Sequence, residues 1–349
     1  MEIFLLQNYF VEERNLNMDT FKALVVRENE EEISYQVEDQ TKEDMLDAGE
    51  VLIKVAYSSV NYKDMLAVQK NGGVIRNYPM IPGIDLSGTI EASTDPNYSI
   101  GQQVLVTGYD MGMTHTGGFA EYARVPSSWV VRLPEDLSMK EAMIFGTAGL
   151  TAALSVYELE KNGMTPSLDQ AILVTGATGG VGSIALQILS KAGYKNITAL
   201  VRKENQINVA KQLGAHTVIL LSDFEFTKKP LAKQTFHYIL DTVGGDLVSS
   251  LLPYVYYQGS VSLCGNAGGI KLTTTVLPFI LRGINLIGID SVNISQEYRQ
   301  MIWSKLAQEW KITDTTLFTA ISLDELPNTI HLLKEGKHLG RTIVDITKK

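Results

Sequence analysis

A single cysteine, Cys264, stands in a chain of 349 residues. No intramolecular disulfide can form, and no cysteine-rich zinc site can be built. A reducing compartment, the cytoplasm, fits that count. Basic charge is also short: 30 Lys and Arg face 39 Asp and Glu, leaving a net charge of −9. No Lys/Arg cluster breaks the acidic balance, so a dedicated nucleic-acid surface is excluded. The first residues hold no long apolar run. Residues 3–6 are apolar but lack a basic flank and are too short for a signal peptide or a membrane span. Met18 opens MDTFKALVV, which runs straight into a strand pattern. Residues 1–17 therefore read as an extension or a misassigned start, which the intact mass of natively expressed protein decides.

The length predicts two domains. In the first part, FKALVVR (21–27) and VLIKVAY (51–57) alternate or run apolar like strands, and an acidic, polar stretch separates them. PMIPGIDLSG (79–88) is dense in Pro and Gly and predicts repeated bends. Short strands are predicted at 103–107, 119–125 and 129–131, so this part reads as β-rich. The pattern changes near Ser138, an N-cap with Glu141 as its capping-box partner, ahead of a helix over 138–160. Strands at 171–176, 196–201, 216–221, 237–244 and 259–265 then follow, with helices at 181–193 and 204–214. Strand and helix at this spacing predict a doubly wound parallel sheet. Helices over 296–310 and 323–335 and a strand over 341–346 close the chain.

The strongest motif is ILVTGATGGVGSIALQIL, where glycines at 176, 179, 180 and 182 join a buried strand to an apolar helix. Glycines let backbone approach a pyrophosphate, and the helix N-terminus offers free N–H groups and a positive dipole end. A tight turn without ligand has the same glycines, but the βαβ context favours binding. The second strand ends Leu200-Val201-Arg202-Lys203, where an NAD site usually carries an acid for the ribose 2′-hydroxyl. A guanidinium there suits a 2′-phosphate. NADPH is therefore expected over NADH, with Arg202 the main discriminator and Lys203 secondary; Glu204 beside them is the opposing feature.

The five histidines, at 115, 216, 237, 331 and 338, form no close pair on one helix face, and Cys264 lies in the nucleotide-binding half. Metal-polarised chemistry is therefore not expected, and no metal ligand is assigned. No Tyr-x-x-x-Lys pair follows the glycine run. SSVNYKDMLA (58–67), YPMIPGIDLSGTI (78–90), GFAEYARVP (118–126), MIFGTAGLTA (143–152), VTGATGGVGS (174–183), TTVLPFILRGINLIGIDS (274–291) and GRTIVDI (340–346) carry a resemblance over nearly the whole chain after residue 20. The sequence resembles the zinc-free medium-chain dehydrogenase/reductases, and within them the family of acrylyl-CoA reductases and quinone oxidoreductases.

The resemblance implies an α/β fold. A GroES-like catalytic domain would span 21–140, completed by 285–349, with a Rossmann NADPH-binding domain over 141–284 and an extension over 1–20. It implies a homodimer acting on a small enone or acyl-CoA, with no nucleic-acid or membrane partner. It also implies reduction of the C=C bond of an α,β-unsaturated acyl-CoA, by hydride transfer to the β-carbon and protonation of the α-carbon. Tyr62, with Asn61 and Asp64, would be catalytic. Tyr62, Thr147, Thr178, Gly179, Gly180, Val181, Gly182, Leu200, Val201 and Arg202 would meet the dinucleotide. Cys264, Gly265, Asn266, Ile289, Asp290, Ser291 and Arg341 would approach it from the far strands and the C-terminus. The family often reads Ser-Gly-Arg where this chain has Leu200-Val201-Arg202, so only the arginine is kept.

A phenol can donate a hydrogen bond at neutral pH, so Tyr62 is the candidate for delivering the proton or holding the carbonyl; alternatively it only packs on the nicotinamide while solvent protonates. Asp64 could orient the loop or accept a hydrogen bond from the ribose, but an Asp after a Lys in a turn is more often a local cap. Lys63, Lys70 and Arg76 could bind CoA phosphates, but short charge clusters are usually solvated. Met111, Met113 and Phe145 read as ordinary core more readily than as pocket. Two other functions stay open: a quinone or alkenal reductase, and a non-catalytic NADPH-binding sensor.

Overall fold

A computed structural model describes residues 20–30, 32–312 and 318–348. The extension expected at 1–17 lies outside the described residues. The chain opens with an antiparallel hairpin, Thr20–Glu28 against Ile33–Thr41. The second of these strands falls in the stretch read from sequence as merely acidic and polar. Ile33, Tyr35 and Val37 alternate with polar residues and pack on the β-rich core, a period of two hidden by the surrounding charge.

The first large sheet has the order Phe318–Ile321, Arg341–Asp345, Val51–Ser59, Asp85–Ser93, Gln103–Thr107, Val131–Arg132, and Tyr122–Val125 also pairs with Val51–Ser59. Three sequence expectations change here. The Pro/Gly-dense segment straightens into a strand from Asp85. The strand expected at 119–125 starts at Tyr122, and residues 127–129 form a 3-10 turn ahead of a two-residue strand.

The second sheet is six-stranded and parallel, in the order Thr217–Leu220, Ile197–Val201, Ile172–Thr175, Phe236–Asp241, Val255–Leu263, Asn285–Gly288. Numbered along the chain, that is 3-2-1-4-5-6, the doubly wound order with its switch point beside the first strand. The sheet takes in Asn285–Gly288, just past the expected 284/285 boundary. Ile172–Thr175 and Ile197–Val201 are buried at every residue, as strands covered on both faces must be. Two short helices that sequence periodicity does not reveal, Gly245–Leu251 and Leu277–Arg282, connect the last strands.

Helix Met139–Lys161 links the two sheets. Ser138 accepts from the Glu141 N–H, and Glu141 Oε2 accepts from the Ser138 N–H at 2.8 Å, the expected capping box. The helix is long and apolar enough to cross a membrane, but most of it is buried inside the protein, against helix Gly180–Lys191 and strands of both sheets. It kinks at Gly146, whose φ of 51° is the left-handed region, and a Cβ there would collide with Asp85 Oδ2 and Ser59 Oγ.

Candidate active site

The glycine run sits at the C-terminal end of Ile172–Thr175. Gly176 has φ 56°, and a side chain on it would strike Thr242 Oγ1. Gly182 backs onto the Gly176 carbonyl too closely for any Cβ, which seats the helix on the strand. Gly179 and Gly180 face more open space: a Cβ on Gly179 would have one atom within 4 Å, at 3.2 Å, and one on Gly180 none nearer than 3.6 Å. Gly179 is the N-cap of helix Gly180–Lys191, no side chain caps it, and the first turn holds no acid. The loop therefore offers a concave, uncapped and positively polarised helix end of the size a phosphate needs. Thr178 is buried beneath it, and Val181 is half-buried.

Leu200 and Val201 are buried, ending the second parallel strand. The Arg202 and Lys203 N–H groups both donate to Gln206 Oε1, at 3.0 and 3.1 Å, which turns both exposed side chains outward. Among the described residues no ion pair joins Glu204 to Arg202, so the guanidinium is not neutralised by its neighbour.

Asp241, which sequence reasoning missed, organises the next loop. Its Oδ1 accepts from Thr175 Oγ1 at 2.7 Å and its Oδ2 from Gly244 N at 2.7 Å. Burial raises its pKa. The signal was an acid closing an apolar strand, YILD. The Cys264 thiol donates to the Asp241 carbonyl at 3.2 Å, and burial together with the Asp241 charge pushes it up to about 12. It is a structural thiol, not a nucleophile. Gly265 packs against the Thr242 carbonyl with no room for a Cβ, and Asn266 is exposed beside it.

On the other side of the cleft, Asn61 precedes helix Tyr62–Ala67, and its N–H donates to Asp64 Oδ2 at 2.7 Å. Tyr62 is 45% exposed, whereas Asn61 and Asp64 are buried. The three residues expected to be catalytic are thus adjacent, but only Tyr62 is exposed. The Asn61 amide is fully engaged: Nδ2 donates to Asp85 Oδ2 at 2.7 Å and to the Ser59 carbonyl at 3.1 Å, and Oδ1 accepts from Arg341 Nη1 at 3.1 Å. Asp85 also accepts from the Thr147 N–H at 2.9 Å and from the Thr147 and Ser59 hydroxyls. Arg341 donates further to the carbonyls of Val60 and Ile144, each at 3.0 Å, and to Ser59 Oγ at 2.8 Å.

Burial pushes the Asp64 carboxyl up to about 8 against the pull of the Asn61 N–H, and the Asp85 charge adds to the rise. One proton on Asp64 leaves a buried set of one carboxylate and one guanidinium. Ser59 and Asp85 were not singled out from sequence. Asp85 left the trace of an acid in a buried-type strand, GIDLSG, and Ser59 lay in SSVNYKDMLA beside the residues that were named.

The last turn of the cleft is Ile289-Asp290-Ser291. Ser291 Oγ accepts from Thr151 Oγ1 at 2.8 Å, and Asp290 Oδ1 accepts from the N–H groups of Val292 and Asn293. Gly340 N donates to the Thr178 carbonyl at 3.2 Å, so the C-terminal strand reaches the glycine loop. Of the basic loop, Lys63 Nζ lies 3.9 Å from Met113 Sδ and Arg76 is exposed. Met111 and Phe145 are core residues.

A doubly wound parallel sheet with a glycine-rich strand-to-helix turn, joined to a β-rich domain, is the architecture of a two-domain oxidoreductase. Two family models match, "Alcohol dehydrogenase GroES-like domain" over residues 47–135 and "Zinc-binding dehydrogenase" over residues 180–308. YhfP of Bacillus subtilis, provisionally named a quinone oxidoreductase, is 44% identical over 329 residues, 93% of this chain and 99% of its own. The acrylyl-CoA reductase AcuI of Ruegeria pomeroyi is 39% identical over 329 residues, again 93% and 99%. The crystal structure of the yhdH oxidoreductase from Salmonella enterica in complex with NADP superposes with a TM-score of 0.89 at 40% identity, over 93% of this chain and 99% of that one. The chain belongs to the medium-chain dehydrogenase/reductase superfamily, in the family of these acrylyl-CoA reductases and quinone oxidoreductases. The zinc in one model's name finds no match here: among the described residues no three His, Cys, Asp or Glu side chains converge as metal ligands.

Proposed function

We propose that the protein reduces the C=C bond of an α,β-unsaturated acyl-CoA of the acrylyl-CoA kind with NADPH, as a homodimer in the cytoplasm. One juxtaposition carries the reading. A Cβ on Gly180 would lie 3.6 Å from Arg341 Nη1, and that same Nη1 donates to Asn61, the neighbour of exposed Tyr62. The phosphate cradle and the tyrosine thus flank one buried guanidinium.

Thr178, Gly179, Gly180, Val181 and Gly182 would hold the pyrophosphate, and Leu200 and Val201 would wall the adenosine. Arg202 would pair with the 2′-phosphate, because it is exposed and unneutralised. Thr147, Cys264, Gly265, Asn266, Ile289, Asp290 and Ser291 would border the nicotinamide side, with Tyr62 opposite. When bound, the reduced dinucleotide supplies the hydride for the β-carbon. Tyr62 offers the only one of the three expected catalytic side chains that a substrate can touch. Its hydroxyl would either hold the carbonyl where negative charge develops, solvent then protonating the α-carbon, or deliver its proton to the α-carbon and regain one from solvent. Asn61, Asp64, Asp85 and Arg341 position the turn that carries it.

The acyl-CoA assignment draws on the Ruegeria relative's name. A quinone or alkenal substrate is the second reading, favoured by the name of the Bacillus subtilis relative. Strand Asn285–Gly288 is the last in its sheet, and Ile270, Val276, Ile280 and Leu281 are exposed nearby in sequence. An open edge beside an apolar surface supports pairing with a second copy.

The test is loss of reduced-nicotinamide absorbance with acrylyl-CoA, crotonyl-CoA and a simple quinone side by side. Turnover greatest on acrylyl-CoA supports the reading, and turnover on the quinone alone replaces it with the second. Tyr62→Phe is expected to cut kcat by about tenfold or more, with NADPH affinity held. Unchanged turnover would assign protonation to solvent.

A further inference from the structure

The mechanism leaves one buried cation unused. Arg299, on helix Gln296–Ala307, is fully buried. Its hydrogen bonds all go to uncharged oxygens. Nη1 donates to the Thr107 carbonyl at 2.8 Å, to Thr107 Oγ1 at 3.0 Å and to the Ser291 carbonyl at 3.4 Å, while Nη2 donates to the Val292 carbonyl at 2.8 Å. Its Nε is buried without a partner. Buried guanidinium groups normally pair with a carboxylate; here the Asp290 and Asp85 charges act only from a distance, with no ion pair among the described residues, and such a cation is costly to keep.

Its partners come from two different sheets. Thr107 ends a strand of the β-rich sheet, and Ser291 and Val292 follow the last strand of the parallel sheet. The turn after Thr107 is itself unusual. Tyr109 is a non-glycine residue at φ 55°. The conformation is pinned from three sides: the ring lies 4.5 Å from the Arg299 guanidinium, it stacks on Trp129 at 5.2 Å, and the Tyr109 N–H donates to the Val292 carbonyl at 3.3 Å. Strain of this kind persists only where its surroundings over-determine it, and it gathers at functional sites. Gly108 next to it has a positive φ and touches Ser291 and Val292.

We propose that Arg299 is a positioning residue that clamps the 107–109 turn, which follows a strand of the β-rich sheet, to the 291–292 turn, which follows the last strand of the parallel sheet, and so fixes where Asp290 and Ser291 of the proposed nicotinamide side stand against the β-rich sheet. The inference rests on the proposed reductase function for its kinetic consequence, but not for the clamp itself. The guanidinium fork spans two turns that a single ammonium cannot span together.

The test is Arg299→Lys in the full-length protein, read by amide hydrogen exchange, NADPH titration and steady-state kinetics. Exchange in residues 108–113 and 289–293 is expected to rise together by about tenfold, as two locally held turns are released. NADPH affinity is expected to stay within about twofold while kcat falls about tenfold, because misplacement of the nicotinamide side costs the reaction and not the phosphate cradle. Arg282→Lys is the control. Arg282 also donates only to carbonyls, those of Pro253, Val255 and Ala232, and its loss should lower the melting temperature without moving kcat.

If Arg299→Lys does not fold, Thr107→Val removes one acceptor in a similar volume, and the same two segments should loosen by a few-fold. Loosening of one segment alone, or a lower melting temperature with exchange and kcat unchanged, overturns the clamp. Wild-type protein that turns over neither enone nor quinone defeats the proposed function, while the exchange data still decide the clamp.

Discussion

Arg341 donates from Nη1 to the side-chain oxygen of Asn61 at 3.1 Å, joining residues 280 positions apart. The same guanidinium serves the carbonyls of Val60 and Ile144 and the hydroxyl of Ser59. Arg341→Met would strand these acceptors and leave the Asp85 carboxylate without its counter-charge. A loss of about 3–5 kcal/mol is expected. Chemical denaturation checks it, and Arg341→Lys should fall between the variant and wild type.

Asp64 makes the stability fall as pH rises. Its carboxyl is pushed up to about 8 in the folded protein by burial, well above its unfolded value. The folded state therefore holds a proton that the unfolded chain has released, and the stabilisation is complete below the unfolded pKa and lost as pH climbs to about 8. The slope from this group is at most about 1.4 kcal/mol per pH unit. Denaturation at several pH values should show the fall in wild type. Asp64→Asn, which keeps an acceptor for the Asn61 N–H, should flatten it.

Two glycines of one loop should respond in opposite ways to alanine. At Gly180 a Cβ meets nothing closer than 3.6 Å, and Ala gains helix propensity of about 1 kcal/mol. Gly180→Ala is expected to fold at least as stably as wild type and to bind NADPH more weakly. At Gly182 the Cβ would collide with the Gly176 carbonyl, so Gly182→Ala should lose both stability and binding. Paired melting curves and fluorescence titrations separate the two cases.

Arg202→Ala should weaken NADPH by roughly tenfold to a hundredfold, the range of a hydrogen bond to a charged group. NADH affinity should change little, because no 2′-phosphate is there to lose. Equal losses for both nucleotides would remove Arg202 from the recognition.

How much was readable before the fold depended on whether the signal was local. The capping box of Ser138 and Glu141 and the strand-to-helix turn at the glycine run are short-range patterns, and both elements stand in the structure as expected, with Arg202 exposed just past its strand. The strand Ile33–Thr41 was missed because its half-buried alternation is diluted by acids on the exposed face. Helix Gly245–Leu251 was missed because seven residues carry less than two turns of periodicity.

The residues 58–67 pointed to Tyr62, Asn61 and Asp64 as a group, but not to which of them is exposed. That followed from Asp85, Arg341 and the Ser59 carbonyl occupying the side-chain amide of Asn61, with Thr147 holding Asp85 in place. The sequence by itself determined a doubly wound domain, a glycine-rich strand-to-helix turn and the two cations that follow the second parallel strand, because backbone geometry and local charge are written in neighbouring residues. The tertiary structure alone decided the raised pKa of the Asp64 carboxyl, the exposed tyrosine and the Arg299 guanidinium hydrogen-bonded to uncharged oxygens. Burial and long-range pairing set those properties, and neither exists until strands 280 residues apart lie side by side.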